Sequence, residues 1–368
     1  MLPSTIFNTH KADYENPTLI LGDERPGLLD SINKQHPSLT TLYKQLKAQD
    51  WDEFEFPHTN CLLEFKTCSE AEYNSMIDTI AWQWETDTAA ARTLVPVMAP
   101  FVTSSDLWKL YSRIGDNEVL HSLSYSEIVA NSFERPDEII ADIMQRQHAF
   151  ERLKLVADVY GEAYQASHEY ALELIPNNQD LYDIVFKFLF TTYVMESVQF
   201  MSSFAVTFSF AKQGRFSSIG DTVQKICVDE LLIHVKTGEY VLDWELRNER
   251  GMMAFNRLRD WIVQLIMGVV QSEYRWTDRL FQNGNELTGV TRPLLYAWVN
   301  YRATKVFDFM RIPCPESIRQ TTNPLPWMDD WTKINNRQHS PQEQRGGNYV
   351  LGGFVDNLGS KKIVYDLG

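Results

Sequence analysis

The run "TTYVMESVQFMSSFAVTFSFA", Thr191 to Ala211, is apolar, aromatic or small at nearly every position and carries one carboxylate, Glu196. A helix that is apolar on all sides belongs inside a bundle, packed against neighbours on every face. An ionised carboxylate buried there costs several kcal/mol unless positive charge meets it. The run contains no Lys or Arg, so the rest of the fold has to supply that charge.

A membrane does not explain the run. The most apolar window, Phe186 to Ala211, is broken by Lys187, Glu196 and Gln199, which suits a buried helix better than a lipid-facing one. From about Ser69 to Met310 the chain reads as long segments of helical periodicity, with proline scarce in their interiors and strand-type alternation rare. "SEAEYNSMIDTIAWQWETDTAAARTLVPVMA" opens with Ser69 as a cap, and "SSDLWKLYSRIGDNEVLHSLSYSEIVANSF" offers Ser105 or Asp106 in the same role. Three later segments run up to Gly214, Gly251 and Gly284, each able to close a helix. The expected fold is all-α, a helical bundle.

Three regions follow. Residues 1–68 are proline-punctuated and mixed, and are expected to form an arm and a first helix. Residues 69–331 form the bundle. Residues 332–368, "TKINNRQHSPQEQRGGNYVLGGFVDNLGSKKIVYDLG", lack core periodicity and are expected to stay flexible until a partner orders them.

Charge excludes one class of partner. With 34 basic and 49 acidic residues the net charge is -15, and no Lys/Arg run exceeds Lys361-Lys362, so a nucleic-acid backbone finds no basic footprint. Cys61, Cys68, Cys227 and Cys314 show no C-x-x-C spacing, and "MLPSTIFNTHKADYENP" has no basic and then apolar leader. Both features read as a cytoplasmic protein, without membrane attachment.

The charge that Glu196 needs is pointed to by three other acids, two of them paired with histidines. In "NEVLHSLSY", Glu118, His121 and Tyr125 fall at i, i+3 and i+7 and share one helix face. "VDELLIHV" holds a second pair, Glu230 and His234, and Asp87 sits among apolar and small residues in "WQWETDTAAA". Asp87 precedes Glu118 by 31 residues and Glu196 precedes Glu230 by 34, so one unit occurs twice. Four inward carboxylates and two imidazoles are the ligand set of a dinuclear iron or manganese site in a bundle core. Each element alone has a plainer reading: an isolated Glu-x-x-His is usually a solvated face, Asp87 has Arg92 nearby, and Glu196 could turn to a bundle edge.

In order and spacing these residues resemble the small, radical-generating subunit of class I ribonucleotide reductase, class Ia-like, from "STIFN" through "NPLPWMDDW" to the tail. The resemblance implies a ferritin-like bundle binding two iron ions per chain, with manganese as the alternative, through Asp87, Glu118, His121, Glu196, Glu230 and His234. It implies that dioxygen at the metals oxidises Tyr125 to a stable radical, inside a pocket of Phe200, Phe204 and Ile226. It further implies a transfer route of Trp51, Asp229 and His121, continued by Tyr349 with Glu343 in the tail. The large catalytic subunit would dock on that tail, the small subunit would be a homodimer, and ribonucleotides would be reduced to deoxyribonucleotides. A ferritin-like di-metal oxidase or monooxygenase, and an iron-storage or structural helical protein, are the competing readings.

Two departures stand out. Glu230 and His234 are spaced E-x-x-x-H where the family usually has E-x-x-H, and the extra residue turns the imidazole by about 100° on a regular helix. A π-bulge between them is therefore expected. The end "VYDLG" adds Gly368 to the usual family ending, which bears on large-subunit docking.

Overall fold

The computed structural model describes residues 18–332, apart from 23–26, 30, 33 and 288. Among them the chain forms helices and isolated bridges only: Ile20 pairs with Val102, and Leu287 with Val290. The helices are α1 (Pro37–Ala48), α2 (Thr59–Thr67), α3 (Glu70–Met98), α4 (Ser105–Ser132), α5 (Pro136–Ile143), α6 (Gln147–Ala171), α7 (Gln179–Val194) and α8 (Met201–Lys212). They continue as α9 (Ser217–Asp229), α10 (Val235–Glu245), α11 (Glu249–Leu280), α12 (Arg292–Phe309) and α13 (Met328–Trp331). Two π-helical segments, Met195–Phe200 and Glu230–His234, join α7 to α8 and α9 to α10 without a break.

Local chemistry accounts for most boundaries. Ser69 and Glu72 form a reciprocal capping box at the start of α3, which satisfies two of the donors a helix N-terminus leaves open. Asn178, Asn248 and Thr291 cap α7, α11 and α12 through their side chains. Gly214 and Gly284 lie at φ of +73° and +78° after α8 and α11, the left-handed conformation that closes helices.

Three expectations change. Gly251 closes nothing: it lies in the first turn of α11, where its N–H donates to Asn248 Oδ1 at 2.8 Å. The α4 cap position falls on Ser104, not Ser105 or Asp106, and its side chain makes no capping bond. Asp106 instead accepts from the His36 N–H and the Thr40 hydroxyl, each at 2.8 Å, and so holds α1 against α4. The N-terminal region contributes two short helices, α1 and α2, where one was expected.

The core is continuous and aromatic. Helix α3 packs most extensively on α4 and α6, and α7 on α6 and α11. Trp82, Tyr125, Phe186, Phe188, Phe190, Phe200, Phe204 and Phe208 are almost completely buried. The "NPLPWMDDW" segment closes one end: Trp331 stacks on Phe208 at 4.4 Å between ring centres. Arg152 is sandwiched between Trp82 and Trp276, 3.8 and 3.9 Å from their ring centres, and forms a two-pronged pair with Glu273 at 2.7 and 2.6 Å. That pair ties α6 to α11 beneath α3. Among the described residues no helix is long and apolar enough to cross a membrane, and all four cysteines are free thiols.

Candidate metal centre

Each of four helical stretches delivers ligands to one point in the core. Asp87 comes from the middle of α3, and Glu118 and His121 from one face of α4. Glu196 lies in the first π-helical segment, and Glu230 and His234 bracket the second. The bulge expected from the E-x-x-x-H spacing is therefore present, and a second, unforeseen one carries Glu196. A π turn takes up one extra residue, so the helix can turn a side chain inward without changing register beyond it.

The ligand atoms fall into two groups, each lying within 4.8 Å of one another. One holds Asp87, Glu118, His121 and Glu230; the other holds Glu118, Glu196, Glu230 and His234. Glu118 and Glu230 belong to both. Two shared carboxylates, with one imidazole and one unshared carboxylate on each side, form a donor set that could hold two adjacent cations.

Burial makes the arrangement costly without cations. Asp87, Glu118, His121, Glu196, Glu230 and His234 are all nearly or completely buried. Both Asp87 oxygens, both Glu230 oxygens, Glu118 Oε2, Glu196 Oε2 and the Nδ1 atoms of both histidines have no hydrogen-bond partner. His121 Nδ1 lies 2.9 Å from Glu230 Oε1 without the alignment of a hydrogen bond. Such orphaned atoms are expensive in a protein interior unless a cation gathers them. Arg92 does not pair with Asp87, and Glu196 does not reach a bundle edge, so the plainer readings fail.

The electrostatics point the same way. Burial first, and then the neighbouring carboxylates, push Asp87 and Glu196 well above the usual carboxylate range, and Glu118 above it too. Burial opposes charge on His234, but Glu230 and Glu118 outweigh it and raise the imidazole to about 10. Burial likewise opposes charge on His121 and is outweighed by the neighbouring carboxylates of Asp229 and Glu230, which raise it well above its ordinary value. Glu230, despite burial, is held low by the two imidazoles. The cluster strongly favours positive charge at its centre, and the donor set of carboxylate oxygens and imidazoles suits iron or manganese.

The outer faces of the histidines are fixed. His121 Nε2 lies 3.3 Å from Asp229 Oδ2, and His234 Nε2 lies 3.0 Å from Asn117 Oδ1. With Nε2–H donating outward, each Nδ1 is left facing the cluster, where a cation would take the place of its proton, the orientation that metal-bound histidines acquire from their outer partners. Asp229 also accepts from Trp51 Nε1 at 2.8 Å, Gln49 Nε2 at 2.5 Å and Asn117 Nδ2 at 3.0 Å. Four donors keep it ionised despite burial, with a depressed carboxyl. Gln49 and Asn117 were not foreseen; the one trace in the sequence is an amide, Asn117, on the helix beside Glu118.

Trp51, Asp229 and His121 are thus brought together, and the Trp51 and His121 rings lie 6.1 Å apart. Tyr125 is completely buried one turn beyond His121, its hydroxyl without a partner. Burial, and next the charge of Asp87, raise its phenol well above its ordinary value. Phe200, Phe204 and Ile226 are completely buried in the same core, with Phe200 and Phe204 at 5.7 Å. Tyr349, Glu343, the tail and Gly368 lie outside the described residues.

Residues 30–315 match the family "Ribonucleotide reductase, small chain". The chain belongs to that family. It is 24% identical over 316 residues to the ribonucleoside-diphosphate reductase subunit beta of Buchnera aphidicola subsp. Baizongia pistaciae, covering 82% of this chain and 83% of that one. To the corresponding subunit of Haemophilus influenzae it is 22% identical over 370 residues, 95% of each chain. Among solved structures, the ribonucleotide reductase R2 subunit from Clostridium botulinum superimposes with a TM-score of 0.76 at 19% identity, covering 91% of this chain and 99% of that one. The ribonucleotide reductase small-chain fold and a dinuclear carboxylate–histidine site are thus features of this chain.

Proposed function

We propose that this chain generates and stores an oxidising equivalent on Tyr125 and passes it to a separate large subunit that reduces ribonucleoside diphosphates. The observation that carries the reading is the Tyr125 phenol: completely buried, without a hydrogen-bond partner, and one helical turn from the His121 imidazole. A storage protein or a structural bundle has no use for such a group.

Asp87, Glu118, His121, Glu196, Glu230 and His234 would hold two metal ions, iron in the first instance and manganese as the alternative. When bound, the pair supplies the capacity to react with dioxygen and to remove one electron from a nearby phenol. The protein's own residues do the rest. On losing an electron to the loaded site Tyr125 would give up its Oη proton, with Asp87, the acid whose charge acts most on that phenol, as the acceptor. Phe200, Phe204 and Ile226 contribute the apolar surround that keeps water and reductants from the resulting radical.

Transfer outward runs along the contacts from His121 through Asp229 to Trp51, and then to Tyr349 with Glu343 in the docking tail. Asp229 holds the Trp51 indole N–H and the imidazole together, so that proton and electron movements along the route stay coupled. A homodimer is the proposed assembly, and the large subunit its partner.

The test mixes the metal-loaded chain with a class I large subunit and follows conversion of a ribonucleoside diphosphate to its deoxy form. Turnover should occur with the full chain, and should stop in Tyr125→Phe, in Trp51→Phe and when residues 343–368 are removed. Turnover that survives the Tyr125 change would overturn the reading.

A further inference from the structure

All six ligand side chains are buried, so any reactant reaching the metals has to pass between helices. One cavity of about 540 Å³ lies between α3 and α6. Thr86 of α3 and Met195 of the first π-helical segment line it, and these are the chain neighbours of Asp87 and Glu196, the two unshared carboxylates. Tyr160 lines the same cavity, and the charges of Glu196 and Glu118 reach its phenol. On the solvent side the lining includes Arg92, Gly161 and Tyr164, all exposed.

Of the polar side chains along this space, Arg92 and Tyr164 stand at the exposed mouth, and those further in, Thr86, Thr93 and Tyr160, are already occupied. Thr86 Oγ1 donates to Trp82 O at 2.7 Å, and Thr93 Oγ1 to Ala89 O at 2.6 Å. Tyr160 Oη is bonded to Thr192 Oγ1 at 2.9 Å; since that threonine donates to Phe188 O at 3.0 Å, the tyrosine is the donor. Past the mouth, what remains for a visitor is the apolar surface of Ala157, Leu153, Val156 and Met195. A charged or strongly hydrogen-bonding reactant would lose hydration there without replacement. A small apolar gas loses almost nothing, and an apolar cavity is the kind of space in which such gases reside.

We propose that this cavity is the entry port through which dioxygen reaches the metal centre, approaching from the side of Asp87 and Glu196. The inference rests on the proposed function and adds to it a route and a set of residues. Tyr160, fixed by Thr192, forms the inner wall, and Gly161 keeps the mouth open. A Cβ built on Gly161 meets nothing within 4 Å, so a larger side chain there can occupy the opening without disturbing the fold.

The experiment compares wild type with Gly161→Phe and Ala157→Phe, and uses Gly161→Ala as the control. Crystals of each metal-free protein are pressurised with xenon, and each protein loaded anaerobically with ferrous iron is mixed with dioxygenated buffer in a stopped-flow instrument. The port predicts xenon in the wild-type cavity and none in the two phenylalanine variants. It also predicts iron oxidation slower by about tenfold or more in those variants, with anaerobic iron stoichiometry unchanged and Gly161→Ala at the wild-type rate. Absence of xenon from the wild type, or wild-type oxidation rates in variants that exclude xenon, would overturn the port alone. Iron that binds but is not oxidised in any of the proteins would overturn the proposed function and the port with it.

Discussion

Asp229 Oδ2 stands 3.3 Å from His121 Nε2, on the face of the imidazole that points away from the carboxylate cluster. The same oxygen takes the Trp51 indole N–H at 2.8 Å. One buried carboxylate therefore sets the orientation of the His121 imidazole and links it to an aromatic ring nearer the surface.

Asp229→Asn keeps the shape and removes the charge. Outer partners of metal-bound histidines are typically worth about 10–100-fold in metal affinity. Competition against a chelator should show a loss in that range with helix content unchanged. Affinity equal to wild type would mean that Asp229 does not orient His121.

The second π-helical segment gives a test of register. Deleting Leu232 converts Glu230-x-x-x-His234 into the E-x-x-H spacing, and in a regular helix such a deletion would rotate everything beyond it by about 100°. Here the π turn holds the surplus residue, so the deletion should relax it to an α-helix and leave two metals per chain and the α10 packing intact. Elemental analysis and the melting temperature check this, and an equivalent deletion in the middle of α11 should unfold the protein.

The spacing of Glu230 and His234 made that π turn legible, because two ligands on one helix must meet one centre and a wrong spacing demands a correction. Glu196 has no second ligand on its helix, so the bulge beneath it left no trace in the sequence. Asp106 was misread for a related reason. Its position near a helix start suggests a cap, but its partners, His36 and Thr40, lie far away in the chain and become visible only in three dimensions. Gly251 shows the same limit: a glycine after a polar stretch marks a boundary, but not which side of it begins the helix. The four carboxylates and two histidines were legible because their order repeats, whereas the amides that position them, Gln49 and Asn117, follow no repeat at all.

Arg152 and Glu273 form a fully buried ion pair between two indole faces. Arg152→Met leaves Glu273 buried without its counter-charge and should destabilise the metal-free protein by about 3–5 kcal/mol. Arg152→Met with Glu273→Met should recover most of that loss, since an apolar replacement of both partners removes the uncompensated charge. Urea midpoints of the single and double variants decide it. A double variant no more stable than the single would show that the pair contributes through its geometry and not through charge balance.

Asp78 gathers His148, Arg146 and Arg279 from two other helices. Burial works against its charge, but the His148 and Arg146 partners outweigh it and hold the carboxyl below its ordinary value. An acid lowered in the folded state contributes stability that is fully present above its unfolded value, about 3.9, and is lost as pH falls through the folded value. Asp78→Asn should therefore cost about 1.5–3 kcal/mol near neutrality, the range for hydrogen bonds to charged groups. The difference from wild type should shrink as the pH is taken below about 3.9. Denaturant titrations at several pH values measure both; a difference that stays constant down the acid limb would remove the charge from the explanation.

If a loaded metal pair takes an electron from Tyr125, electron paramagnetic resonance detects the phenoxyl radical that remains. Metal-free protein is given ferrous iron and then air, with Tyr125→Phe treated in parallel and the iron content of both measured. A tyrosyl signal in the wild type, absent from a variant that binds and oxidises the same amount of iron, is the predicted result. An identical radical signal in Tyr125→Phe, or no radical in wild type with either iron or manganese at full loading, would contradict the account.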